Sequence, residues 1–119
     1  MVTGIMIVFG RLAHVLFYFG FNKSFVSLSF ALYANRELTL LKNKLMVTTP
    51  LGEQILYTSI FKKCEILVKG VVLKANLIPL EMYSFDVILE MDWLSNHRAS
   101  MDCFTKKICL RNLIPRLRI

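Results

Sequence analysis

A mainly β fold is what this sequence predicts: a small closed barrel of mostly antiparallel strands, with a short helix after the Asp92-Trp93-Leu94 turn. Three observations predict it. Short apolar runs rich in β-branched and aromatic residues recur along the chain, separated by turn chemistry at the spacing of an all-β domain. Helical signals are few. The run Val87-Ile88-Leu89 is β-branched at two of its three positions, which suits a strand covered on both faces. Behind it, Asp92 can cap a first helical turn, and Trp93 and Leu94 give that helix an apolar anchor.

The elements follow in order. Residues 2–9 and 12–17 form a hairpin with Gly10-Arg11 at its tip. Ser24 can cap a short helix over 24–31, which carries Phe25 and Leu28 on its apolar side. Strands 45–49 and 54–60 are joined across Pro50-Leu51-Gly52-Glu53, where Pro early and Gly late suit a tight turn projecting from a sheet. Residues 64–68 and 71–77 make another hairpin across Lys69-Gly70, and 85–94 run from strand through turn to helix. Strands 100–103 and 107–110 close the domain. Residues 1–110 therefore read as one domain, and 111–119, with Arg111, Arg116 and Arg118, as a basic C-terminal tail.

Composition narrows the function classes. At 119 residues, with 55% hydrophobic and 19% charged, the chain is one folded domain rather than a disordered segment. Its apolar excess suggests a partner, a membrane, or relaxed selection for solubility. The net charge of +7 is scattered over pairs such as Lys42 and Lys44, Lys62 and Lys63, and Lys106 and Lys107. A nucleic-acid reader concentrates such charge on one face with interleaved aromatics, so no nucleic-acid partner is expected and the lysines read as solvated surface. Cys64, Cys103 and Cys109 form no C-x-x-C pair, and His14 and His97 stand alone. Free thiols in a reducing, cytoplasmic setting are expected, with no metal and no cofactor. Residues 5–21 are apolar enough to raise a membrane anchor. Arg11 in the middle of such a helix costs about 2.5–3.5 kcal/mol, and the hairpin reading is preferred.

Several segments converge on one family. They are Val47-Thr48-Thr49-Pro50-Leu51-Gly52, Cys64-Glu65-Ile66, Ala75-Asn76-Leu77-Ile78-Pro79-Leu80 and, strongest, Phe85-Asp86-Val87-Ile88-Leu89-Glu90-Met91-Asp92-Trp93-Leu94. His97, Ala99, Met101-Asp102-Cys103 and Lys106 continue the series. In this order and spacing the chain resembles the retropepsin-like aspartic protease domain of plant gypsy-type LTR retroelements, over residues 2–110. The resemblance implies a retropepsin-like β-barrel, a flap at Thr49, Pro50, Leu51 and Gly52, and a groove for an extended peptide. It also implies a symmetric homodimer in which each protomer donates one aspartate from a D-[ST]-G triplet. Two such carboxylates share one proton, so that one accepts a proton from the attacking water while the other donates to the scissile carbonyl.

The position of that triplet, after the second strand and before a Ser-Phe pair, is Tyr18-Phe19-Gly20. No Asp precedes Asp86, so a shifted triplet cannot restore it. A phenol of ordinary pKa about 10 is a poor general base for water near pH 7. Phe19 removes the hydroxyl that braces the two triplets, and Phe21 and Lys23 add bulk beside the cleft. The expectation is a catalytically silent copy. The alternatives are a dimerising or peptide-binding remnant of the same fold, or a small membrane-anchored protein using residues 5–21. Asp86, Asp92 and Asp102 read as structural, at a cap, a turn or strand ends, and Phe17-Tyr18-Phe19-Gly20-Phe21 reads as core or dimer packing. Glu90 replaces a family glycine; at positive φ it costs about 1 kcal/mol or more.

Overall fold

In the computed structural model, residues 2–18, 20, 22–48, 52–102, 104–105, 107–110 and 117–118 are described. The chain runs β1 (Val2–Val8), β2 (Arg11–Phe17), β3 (Ser24–Ser27), α1 (Leu28–Ala31), β4 (Leu38–Thr48), β5 (Gln54–Val68) and β6 (Val71–Leu80). It continues with β7 (Val87–Leu89), α2 (Met91–Asn96), β8 (Ala99–Asp102), β9 (Lys107–Leu110) and β10 (Leu117–Arg118). Seven strands form one sheet in the order β1-β2-β7-β3-β6-β5-β4, and a further β1–β5 pairing brings that sheet round onto itself. Strands β8, β9 and β10 make a separate three-stranded sheet, so Leu117–Arg118, at the end of the basic segment, lies along β9. Pairing among the described residues is antiparallel except for β2–β7 and β3–β6. The mainly β, mostly antiparallel expectation is met.

Strand β7 is central. It pairs in parallel with β2, Val15 to Val87 through Phe17 to Leu89, and antiparallel with β3. Its side chains alternate between two cores: Val87 and Leu89 join the larger cluster with Val15, Phe17, Val26, Leu77 and Trp93. Ile88 faces the other way, onto Leu16, Phe25, Ile60, Ile78 and Leu80. That two-sided burial is what an unbroken β-branched run without alternation requires.

Turn chemistry explains the hairpins. Both are two-residue turns with two positive φ values, the type that matches strand twist: Phe9 and Gly10 at 53° and 73°, Lys69 and Gly70 at 47° and 82°. The first tip is therefore Phe9-Gly10 rather than Gly10-Arg11, since Arg11 already pairs with Val8. Residues 5–17, raised as part of a membrane helix, lie on the two strands of this hairpin or at its tip. No helix among the described residues is long and apolar enough to cross a membrane.

Three other expectations are corrected. Residues 54–60 and 64–68 are one 15-residue strand, interrupted by a bulge between Phe61 and Cys64. There Lys63 takes φ 54° and its N–H donates to Asn76 Oδ1 at 3.0 Å. The extra residue lets two lysines face solvent without ending the strand. Ser24 does not cap a helix; it begins β3, and the cap of α1 is Ser27, whose Oγ accepts from the Phe30 N–H at 3.1 Å. Asp92 lies inside the first turn of α2, and the N-cap is Glu90, at φ −117°. That extended backbone removes the left-handed cost expected of Glu90, whose side chain is fully buried.

Asp92 has a different task. Its Oδ1 accepts from Ser24 Oγ at 2.5 Å and from the Trp93 N–H at 2.8 Å, and its Oδ2 accepts from the Ser24 N–H at 3.2 Å. Ser24 Oγ in turn accepts from the Glu90 N–H at 3.0 Å. This bracket fastens α2 to the start of β3 across 68 residues of chain. Asp86 does the same at the other end of β7. Its Oδ2 accepts from the His14 N–H at 2.8 Å, its N–H donates to the His14 carbonyl at 2.9 Å, and its carbonyl accepts from the Ser27 N–H. The structural reading of these two aspartates holds, and Asp102 ends β8 as expected.

Two predictions follow from this packing. Hydrogen bonds to a part-buried carboxylate contribute about 1.5–3 kcal/mol each, so Asp92→Ala is expected to lower unfolding free energy by roughly 2–4 kcal/mol and Ser24→Ala by roughly 1–2. Urea titration of both variants and the double variant checks this; additive losses would show that the two side chains do not act as one bracket. The second concerns Cys64, fully buried, whose thiol burial pushes from its ordinary 9.0 up to about 11 against the opposing charge of Arg36. A thiol raised in the folded state stabilises fully below pH 9 and loses that contribution as pH climbs toward 11. The urea midpoint is therefore expected to fall over that window, and to fall less in Cys64→Ala. Iodoacetamide at pH 8 should leave Cys64 unmodified until the protein unfolds.

Candidate functional site

The loop between β2 and β3 is held at both ends by groups outside it. At its start the Tyr18 N–H donates to the Leu89 carbonyl at 3.0 Å, extending the parallel β2–β7 ladder by one step. At its end Ser24 is locked to Asp92. Both anchors come from the segment 85–94, so the strand–turn–helix read from the sequence positions the loop where the triplet was expected.

Within the loop, Tyr18 is 40% exposed and its ring folds over Gly20. A Cβ added at Gly20 would stand 2.3 Å from Tyr18 Cε1 and 2.7 Å from Cζ, far inside contact distance. Glycine at 20 is thus what gives the phenol its place. Phe19 and Phe21 lie outside the described residues. Phe17, ahead of the loop, is core: it is buried and its ring centroid lies 6.2 Å from that of Trp93. The packing reading of that residue holds.

Of the expected flap, Thr49, Pro50 and Leu51 also lie outside the described residues. Gly52 has φ 86°, as the late glycine of a tight connection requires. The strands leading to it, β4 and β5, pair from Val47 with Ile55 to Thr48 with Gln54. The start of β5 lines a cavity of about 690 Å³, within the usual size range of ligand sites. It is lined by Leu16 and Ile88, by Ile55 and Tyr57 of β5, and by the segment 79–85 with Leu80, Met82 and Phe85. Leu16 stands two residues before Tyr18, which ties this apolar hollow to the loop.

Polar groups sit at the edge. Glu53 and Glu81 line the cavity and are exposed. Burial, and then the charge of Glu53, push the Tyr57 phenol above its ordinary pKa. Tyr83 donates its hydroxyl to Glu81 Oε1, and that bond and charge raise the Tyr83 phenol. Among the described residues no group of His, Cys, Asp and Glu is arranged to hold a metal.

Sequence reasoning missed the wall formed by residues 81–85. Nothing local in Glu81-Met82-Tyr83-Ser84 marks a binding surface; it is placed by the parallel β3–β6 pairing, which carries Leu80 alongside Ser27. The only signal was the apolar Phe85 and Met82 on either side of a polar stretch.

The retroviral aspartyl protease family model matches residues 1–114. A solved structure, the retroviral protease-like domain of Ddi1 from Leishmania major, aligns with a TM-score of 0.68 at 14% identity. That alignment covers 95% of this chain and 90% of that one, and at such identity it speaks for the fold alone. No curated protein matches significantly. With a family match running from the first strand past β9, the chain belongs to the retroviral aspartyl protease family.

Proposed function

We propose that this chain is a retropepsin-like domain without peptidase activity, descended from a plant gypsy-type retroelement, which keeps the capacity to hold an extended peptide as one half of a cytoplasmic homodimer. One observation carries the loss of activity: the loop that Leu89 and Asp92 hold in place presents Tyr18 folded over Gly20 where the family presents an aspartate. The reaction needs two carboxylates that share a proton, and a symmetric dimer of this chain brings two phenols. A phenol stays protonated at the mildly acidic pH where such a dyad works, so it cannot take a proton from water. Asp86 and Asp92 do not substitute for it, because Asp92 is engaged with Ser24 and Trp93, and Asp86 with His14.

Peptide holding is supported by the cavity itself. An apolar hollow beside a β-hairpin is the arrangement that takes an extended segment, with backbone bonds along the strand and alternate side chains in the hollow. The homodimer rests on the family resemblance.

Removing a catalytic group that acts in a unit costs about 10⁴-fold or more, so the purified chain is expected to show no cleavage of peptide substrates at mildly acidic pH. Cleavage that pepstatin blocks would overturn the proposal. The double change Tyr18→Asp with Phe19→Ser is expected to gain measurable pepstatin-sensitive activity, since the loop's anchors are backbone and Asp92 rather than the triplet. For the retained capacity, sedimentation is expected to show a dimer, and hydrogen exchange to show protection over residues 46–57 when peptide is added. A monomer without such protection removes that part of the reading.

A further inference from the structure

We infer that the apolar hollow selects extended peptides in which a bulky apolar residue is flanked by a basic residue two positions away. This rests on the reading that the groove holds a peptide, and adds which peptide it holds. The chain as a whole is strongly basic, at +7, with 15 basic and 8 acidic residues. Around this cavity the sign reverses: among the described residues, the charged side chains lining it are Glu53 and Glu81.

The two carboxylates stand on different segments. Glu53 precedes β5 on the hairpin side, next to Tyr57. Glu81 follows β6, where Tyr83 donates a hydrogen bond to it. The same lining includes Leu16, Ile55, Met82 and Ile88, which offer a bound side chain no hydrogen-bond partner. The centre therefore takes an apolar residue, and the rim takes a cation.

Strand geometry sets the spacing. Side chains of an extended peptide alternate, so residues i and i±2 share a face, about 6.5–7 Å apart along the strand. When residue i enters the hollow, residues i−2 and i+2 pass over the same wall, within reach of the rim glutamates. Residues i−1 and i+1 point away. Arg or Lys at i±2 thus gains opposite charge, and Glu at i±2 meets like charge.

Fluorescence polarisation of labelled heptapeptides with a central Phe, titrated with the full chain, tests this. The peptides carry Arg at i±2, Glu at i±2, or Arg at i±1. Exposed ion pairs are weak, so the first peptide is expected to bind about three- to tenfold more tightly than the second, with the third between them and the differences shrinking in 0.5 M salt. The double variant E53Q/E81Q is expected to bring the ratio of the first two to about one. Equal binding of all three, or an unchanged ratio in the double variant, overturns the inference and leaves peptide holding intact. If no peptide binds, the peptide-holding reading itself fails and the selectivity falls with it. Peptide binding that is lost as the chain self-associates would assign the hollow to a second copy, and would also overturn the inference.

Discussion

Because Val87, Ile88 and Leu89 have no exposed face, the strands on either side of β7 cannot slip by one residue without moving Ile88 into the wrong core. Register in a half-buried sheet is already well specified; in a strand buried on both faces a slip misplaces every side chain. The two aspartates that flank this strand fix its ends, Asp86 to His14 and Asp92 to Ser24. Between them they join β2, β3 and α2, which are distant in sequence, and so set where the loop between β2 and β3 must run. Everything assigned to the site hangs on that three-residue strand and its two brackets.

The loop is anchored by groups that are indifferent to its own chemistry. Tyr18 is held through its N–H, which any residue but proline offers, and the far end is held by Ser24 and Asp92. At 20, a Cβ would meet only the outer edge of the half-exposed Tyr18 ring, a side chain that can swing aside. Glu90 shows the same tolerance by another route. The backbone there is extended, so a side chain is allowed where the family has glycine, and the α2 cap proceeds through the Glu90 carbonyl, which accepts from Trp93 and Leu94.

How much of this was legible depends on how local each determinant is. The segment 85–94 was readable because its burial, turn and helix anchor are encoded within ten consecutive residues. The first hairpin was readable for the same reason, with its tip displaced by one position because Phe9, an unusual residue for positive φ, takes the place a small polar residue would signal. Strand β5 was read as two strands because Lys62 and Lys63 interrupt its apolar pattern, whereas a bulge backed by Asn76 carries the strand through. Ser24 was misassigned because a serine before an apolar run looks like a cap, and only the distant Asp92 shows that it is not one. The parallel pairings β2–β7 and β3–β6 leave no local trace at all, and it is β3–β6 that brings 79–85 to the cavity.

The apolar lining and a catalytic carboxylate differ in what else depends on them. Leu16, Ile55, Tyr57, Phe85 and Ile88 line the hollow, and the same side chains belong to or pack against the second hydrophobic core. Replacing any of them with a small or polar residue would cost stability as well as binding, since truncating a buried Leu or Ile costs about 2–5 kcal/mol in a domain whose whole margin is about 5–15. A catalytic aspartate supports no packing and is often a burden to the folded state, being a charge held near a like charge. Folding alone therefore constrains the apolar hollow more tightly than it would a catalytic carboxylate.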